Sequence, residues 1–375
     1  MNYQDDFSAS FPEKEGFLEF LDGIEERGCW RVFPTNEIQV LSLKESQELC
    51  QEIEAEREGA DILQDTRANT GLLLKVGEEH YPLGATAIKT LENRARISGY
   101  ALQDLSREKL ARVLNDCLEV TRGNALVRIH EGKARAVHGG DKSDYAVLPM
   151  PELFEASVIH MEEQYEKVRF LSGYFDHWLV TASWEIQDRR LLDTYRELLL
   201  QYGQVADPEL SAQIKVHSSD VGVSGANIFY FLLMGKERKP LVLGDALRLE
   251  HSGGASLADF SRNLSQVFAR YREAVEGLSG LFSEYLTYPA NVIARVMKKA
   301  GIGVGLTAKT AELFKASHGF GGCNGYEVYC GICESIFLAQ SEGAGVRALT
   351  DLEERVSRCL AFPFKEYDIP GEVRY

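Results

Sequence analysis

The sequence predicts an α+β fold: a mixed, largely antiparallel sheet core with a helical N-terminal extension and a helical C-terminal region. Three observations carry this expectation. Helical apolar stripes recur in the first 65 residues and through most of the chain after residue 255. Strand-length apolar runs dominate residues 167–250. Two alternating runs about a glycine turn, at 125–140, form the clearest hairpin signal. These shifts divide the chain into an acidic helical front (1–65), an α+β core (66–255) and a helical region packed on it (256–375).

From the N-terminus, "KEGFLEFLDGIEERG" (14–28) puts Phe17, Phe20, Leu21 and Ile24 on one helical stripe and stops at Gly28. Short extended pieces around Pro34 follow, then an acidic helix over 43–58. A few polar residues lead to the strand "TGLLLKV" (70–76). Helices are expected over 84–97 and 106–120, the second opened by Ser106 as N-cap. Next come the hairpin "ALVRIHEGKARAVHGG" and a helix over 149–165 with proline in its first turn. Between 167 and 250 one helix (188–203) interrupts the strands. A long helix over 256–286, kinked near Gly277 or Gly280, opens the helical remainder.

Charge is unevenly placed. The formal net charge is −16, and residues 1–65 alone hold 17 acidic against 5 basic side chains. Residues 84–142 reverse the sign, with 11 basic against 7 acidic. The start of the chain lacks the basic and apolar blocks of a signal peptide. The longest apolar run, "IFYFLLM", falls far short of the roughly 20 residues that cross a bilayer. Seven cysteines, an odd number, do not suggest a disulfide framework. The expected setting is cytoplasmic, with reduced thiols and no membrane partner.

Motifs for chemistry are sparse. "GGCNGYEVYCGICES" places Cys323, Cys330 and Cys333 close together, and His318 completes an arithmetically possible zinc set. However, Tyr326, Tyr329, Cys330, Cys333, Ile336 and Phe337 share one helical stripe, which favours buried thiols over ligands. "AGIGVGLTAKT" (300–310) lacks phosphate-loop spacing and reads as a helix break before a helix capped by Thr307. The eight histidines form no metalloprotease or hydrolase pattern. No cofactor or metal is expected, and the residues point to no reaction. Two polar stretches stand out. "SSDVGVSGANIFYF" (218–231) and "LRLEHSGG" (247–254) supply Asp220, Arg248 and His251 as candidate ligand contacts.

These stretches belong to a wider likeness. "YPLGATAIKTLENRARISGYALQDL", "ALVRIHEGKARAVHGGDKSDYAVLPMPELFEA", "SSDVGVSGANIFYF" and "RLEHSGG" resemble the phage/plasmid-like proteins of domain-of-unknown-function family 932. The resemblance covers residues 70–340. Where that family has "SDRY", this chain reads "KSDYA", with Asp144 before Tyr145 and no arginine. The resemblance implies a gene of a mobile genetic element and implies no reaction.

Two functional expectations follow. The first is a nucleic-acid-handling accessory that binds single-stranded DNA. Arg94, Arg96, Arg128, Lys133, Arg135 and Lys142 would meet phosphates, and Tyr145 would stack on a base. The second is a host-interaction or counter-defence protein whose acidic front docks on a basic host protein. An uncharacterised enzyme is the third alternative.

Overall fold

A computed structural model describes residues 2–141, 144–371 and 373. It contains an antiparallel α+β fold, so the class expected from the sequence is the one observed. The chain opens with β1 (Ser8–Phe11), α1 (Lys14–Glu26), β2 (Gly28–Pro34) and β3 (Ile38–Ser42). Helices α2 (Gln47–Glu54) and α3 (Gly59–Asn69) precede β4 (Leu72–Val76) and β5 (Glu79–Pro82). Then come α4 (Ala85–Arg94), α5 (Arg107–Glu119), β6 (Asn124–His130) and β7 (Lys133–Gly139).

The second half begins with α6 (Met150–Gln164), β8 (Val168–Asp176), β9 (Val180–Ile186) and α7 (Arg189–Gln201). Strands β10 (Ser211–Ser218), β11 (Ala226–Met234), β12 (Lys239–Val242) and β13 (Leu247–Leu249) follow. Helices α8 (Leu257–Gly277), α9 (Ser279–Ser283), α10 (Pro289–Lys299) and α11 (Val304–His318) lead to α12 (Gly325–Ser341), α13 (Val346–Cys359) and α14 (Phe364–Tyr367). A two-stranded ribbon of Tyr285–Leu286 and Cys323–Asn324 lies among them.

The central sheet runs β1-β8-β9-β10-β11-β12, with β13 also paired to β11. β9 is buried along its whole length and β11 along all but its last residue, and β11 accordingly reads as a near-continuous apolar run. Helices α1 and α6–α13 surround this sheet and share its core. Two small sheets, β2-β6-β7 and β3-β4-β5, make a second body with α4 and α5 around a separate core. The parallel bridge Leu83–Ala134 joins those sheets.

Several boundaries differ from the sequence reading. Residues 1–65 do contain helices, but they are not an addition to the molecule. β1 pairs with β8, β2 with β6, and β3 with β4, so this segment enters the central sheet and both three-stranded sheets. Phe17, Leu21 and Ile24 sit in the main core, with Phe17 edge-on to Phe154 at 5.2 Å. Residues 59–69, read as polar connection, form α3, whose apolar contribution is limited to Ile62 and Leu63. That weak periodicity, with glycine at the first position, hides the helix. α11 starts at Val304 after Gly303, not at Thr307, whose hydroxyl bonds the Ile302 carbonyl within the first turn. The long helix breaks at Leu278, between the two glycines expected to kink it.

Candidate functional site

The β6–β7 hairpin alternates, and alternation sends its side chains to two faces. Ala125, Val127, Ile129, Ala134 and Val137 enter the core shared with α4 and α5. Arg128, His130, Lys133, Arg135 and His138 take the other side, with a register shift between Arg128 and Ile129. A polar face on a two-stranded run ordinarily meets water. Here it meets protein, because the N-terminal segment, α1, α3 and the loops after β8 and β10 close over it.

At one end Lys133 is fully buried and donates to Asp5 at 2.9 Å and Asp65 at 2.5 Å. Arg135, 1% exposed, donates to Asp5 and to the Tyr3 carbonyl, each at 2.5 Å. Asp5 also accepts from the Ala85 amide at 2.8 Å, where α4 begins. One carboxylate thus ties the N-terminal segment to β7 and α4. Arg128 is fully buried as well, bonded to Glu25 of α1 at 2.8 Å and to Asp220 at 3.2 Å. Its guanidinium lies against Gly28, where a Cβ would fall 2.8 Å away, so β2 needs glycine there.

At the other end, Tyr145 lies parallel to His138 at 4.0 Å and to His251 at 5.3 Å. The two imidazoles make no ring contact with each other, so they cover opposite faces of the phenol. His138 Nε2–H donates to the Val221 carbonyl at 2.7 Å, which fixes its tautomer. His251 Nδ1–H donates to the Ala146 carbonyl at 3.0 Å, and its Nε2 accepts from Ser218 at 3.3 Å. Burial lowers both imidazole pKa values, that of His138 to about 4, so both rings are neutral near pH 7. Ser218 is fully buried, and its hydroxyl orients His251. Trp30 completes the cluster, 5.4 Å from Tyr145 and 5.6 Å beneath the Arg128 guanidinium. Gly222 has φ +68°, and a Cβ there would stand 2.8 Å from the Tyr145 hydroxyl.

The expected DNA contacts therefore do not form a surface patch. Arg128, Lys133 and Arg135 are buried and neutralised by Asp5, Asp65, Glu25 and Asp220. Arg94 is buried too, bonded to the Thr35 hydroxyl and the Arg122 carbonyl. Arg96 alone of the described candidates is exposed, and Lys142 lies outside the described residues. Tyr145 has both faces covered and cannot stack on a base. Among the ligand-contact candidates, Asp220 and His251 join Arg128 and Tyr145 in one cluster. Arg248 does not; it pairs with Glu354 of α13 at 2.7 Å.

Of the three clustered thiols, Cys330 and Cys333 follow the helical reading, and Cys323 lies in the two-stranded ribbon before α12. Cys333 is buried within α12, and Cys330 and Cys323 are half-buried. Burial pushes the thiols of Cys323 and Cys330 up to about 12, so neither is a thiolate near neutral pH. His318 is exposed at the end of α11. Among the described residues, no group of three or more His, Cys, Asp or Glu side chains is placed to hold a metal ion.

Sequence reasoning missed Asp5, Glu25, Trp30, Asp65 and His177 as members of the seam. They come from four distant parts of the chain, and none has a local signature. The one legible signal was the polar alternation Arg128, His130 and Lys133, Arg135. No family model, curated protein or solved structure matches this chain.

Proposed function

We propose that this chain is a non-catalytic interaction protein of a mobile genetic element, docking through its acidic α2–α3 surface on a basic partner. The observation that supports it is where the charges end up. Of the cations that made residues 84–142 look basic, Arg128, Lys133 and Arg135 are spent on internal carboxylates. The outward face of α2–α3 leaves Glu48, Glu52, Glu54, Glu56, Glu58 and Asp61 exposed, with Arg57 and Arg67 the basic residues among them. Beside this face lies a cleft of about 600 Å³ with a mixed charged lining, Lys44, Arg67 and Arg107 with Glu54 and Glu108. The acidic face itself suits a basic peptide segment. The mobile-element part of the reading rests on the family 932 resemblance. Single-strand binding is the alternative, and of the described candidate cations it retains Arg96 at the surface.

Removing residues 1–65 is no test, because three sheets would lose a strand. Charge reversal keeps the fold. A fluorescent arginine- and lysine-rich peptide should bind the intact chain, more tightly at about 20 mM than at about 200 mM salt. Glu48→Lys with Glu52→Lys and Glu56→Lys should weaken it at least about tenfold, or 1.4 kcal/mol. Glu155→Lys with Glu163→Lys and Glu312→Lys, on other exposed surfaces, should change it far less. Equal losses from both sets would remove the proposed surface. Salt-sensitive binding of labelled oligo-dT would favour the single-strand reading instead.

A further inference from the structure

The loops after β8 and β10 meet the ionic seam at one end of the central sheet. At the opposite end, the loops before β8 and β10 and the β11–β12 turn frame a cleft of about 560 Å³. Its lining carries five cations: Lys167 just before β8, Arg189 and Arg196 of α7, and Lys236 and Arg238 of the β11–β12 turn. Three carboxylates share the lining, Glu166, Glu185 and Glu209, which leaves a net charge of +2. In a chain whose net charge is −16, this recess has the opposite sign to the whole.

The cations are positioned, not merely solvated. Glu185, 5% exposed, pairs with Arg238 at 2.5 Å and with Arg169 at 2.5 Å, so its single charge is met twice over. Arg238 and Lys167 both hold left-handed backbone, at φ +55° and +47°, a region that side chains bearing a Cβ rarely adopt. Strained positions of this kind cluster at ligand clamps. Arg196 is matched by Asp193 at 2.9 Å. Lys167, Arg189 and Lys236 are exposed and form no ion pair among the described residues, and neither do Glu166 and Glu209. Guanidinium and ammonium groups on several walls of one recess suit a compact anion with more than one charge. Phosphate oxygens satisfy both donor types, arginine through its planar fork and lysine as a point charge. The rest of the lining is Gln187, Leu192, Pro208, Leu210 and Gly235, with no aromatic ring to stack on a base.

We propose that this cleft binds a diphosphate group, held by Lys167, Arg189, Lys236 and Arg238. It recognises the linked phosphates and not what they are attached to. The inference is independent of the docking surface on α2–α3, with which the cleft shares no residue.

The test is calorimetric titration of the full chain with sodium pyrophosphate near neutral pH. One saturable site should appear in about 50 mM sodium chloride and weaken in about 300 mM. Lys167→Gln with Lys236→Gln removes two exposed, unpaired charges and should weaken binding at least about tenfold. Lys44→Gln with Arg112→Gln, exposed cations far from the cleft in the chain, should leave it unchanged. Tricarballylate, a carboxylate anion of similar charge, should bind the unaltered chain far more weakly than pyrophosphate. Labelled oligo-dT separates the sources of the phosphates. If pyrophosphate displaces it, and the Lys167 and Lys236 variant loses it, the cleft takes a nucleic-acid backbone; without that competition it takes a free diphosphate. No saturable heat, equal losses from both variant pairs, or equal binding of tricarballylate overturns the proposal, and the first and last of these need no variant to fold.

Discussion

The two faces of the β6–β7 hairpin are buried to the same depth by opposite means. On one side Val127, Ala134 and Val137 pack against α4 and α5, and the contact is stabilised by apolar area alone. On the other, Arg128, Lys133 and Arg135 are equally inaccessible and are held by specific carboxylates. The apolar face is tolerant, since a lost methylene leaves a small cavity. The ionic face is not, because removing one partner strands a charge in a poor solvent. Two contacts of similar burial thus differ in how they fail.

Acid offers the largest break. His130, His177 and His217 are buried neutral, with pKa values depressed to about 2, 3 and 3. Burial is the leading cause for each. A depressed folded-state pKa contributes stability that is whole above the unfolded value near 6.5 and is lost as pH falls below it. At pH 5 each imidazole should cost about 2 kcal/mol, or about 6 kcal/mol for the three. Urea midpoints at pH 7.5 and pH 5 should therefore fall far apart; a flat profile would mean that the rings are protonated or hydrated in the fold.

Next in size is Asp5→Asn, which leaves Arg135 without a carboxylate and Lys133 with Asp65 alone. It should cost about 3–5 kcal/mol in urea unfolding. Lys133→Met combined with Asp65→Leu should cost much less than either alone, since both charges leave together. Additive losses there would show that the seam behaves like the apolar face. Gly222→Ala should cost about 1–3 kcal/mol, combining a left-handed backbone position with the approach of Tyr145. Tyr145 fluorescence quenching by the flanking rings should weaken in parallel, and an unchanged spectrum would contradict the stack. The smallest effect belongs to Arg248→Ala, whose half-exposed pair with Glu354 should contribute under about 1 kcal/mol. A larger loss would assign Arg248 a role beyond that pair.

Local pattern carried much of the fold. The stripe of α1, the glycine-turned hairpin, the apolar run of β11 and the Ser106-capped start of α5 all have short-range signals, and each forms where expected. The site was legible only in part. Asp220, His251, Arg128 and Tyr145 were singled out, but for two different purposes, and the structure joins them. Asp5 and Asp65 looked like members of a solvated acidic front, because a carboxylate's partner 68 or more residues away leaves no trace in its neighbours.

By itself, then, the sequence determined which residues alternate, where helices start and stop, and how many charges of each sign the chain bears. Periodicity and capping act over a few residues, so they survive in a linear string. Only the tertiary structure decided which side of the hairpin water reaches, and so whether its cations form a surface or an interior seam. Solvent exposure is a property of everything that packs around a residue, and the segments that close over this face come from the first 69 residues and from loops near residues 177 and 220.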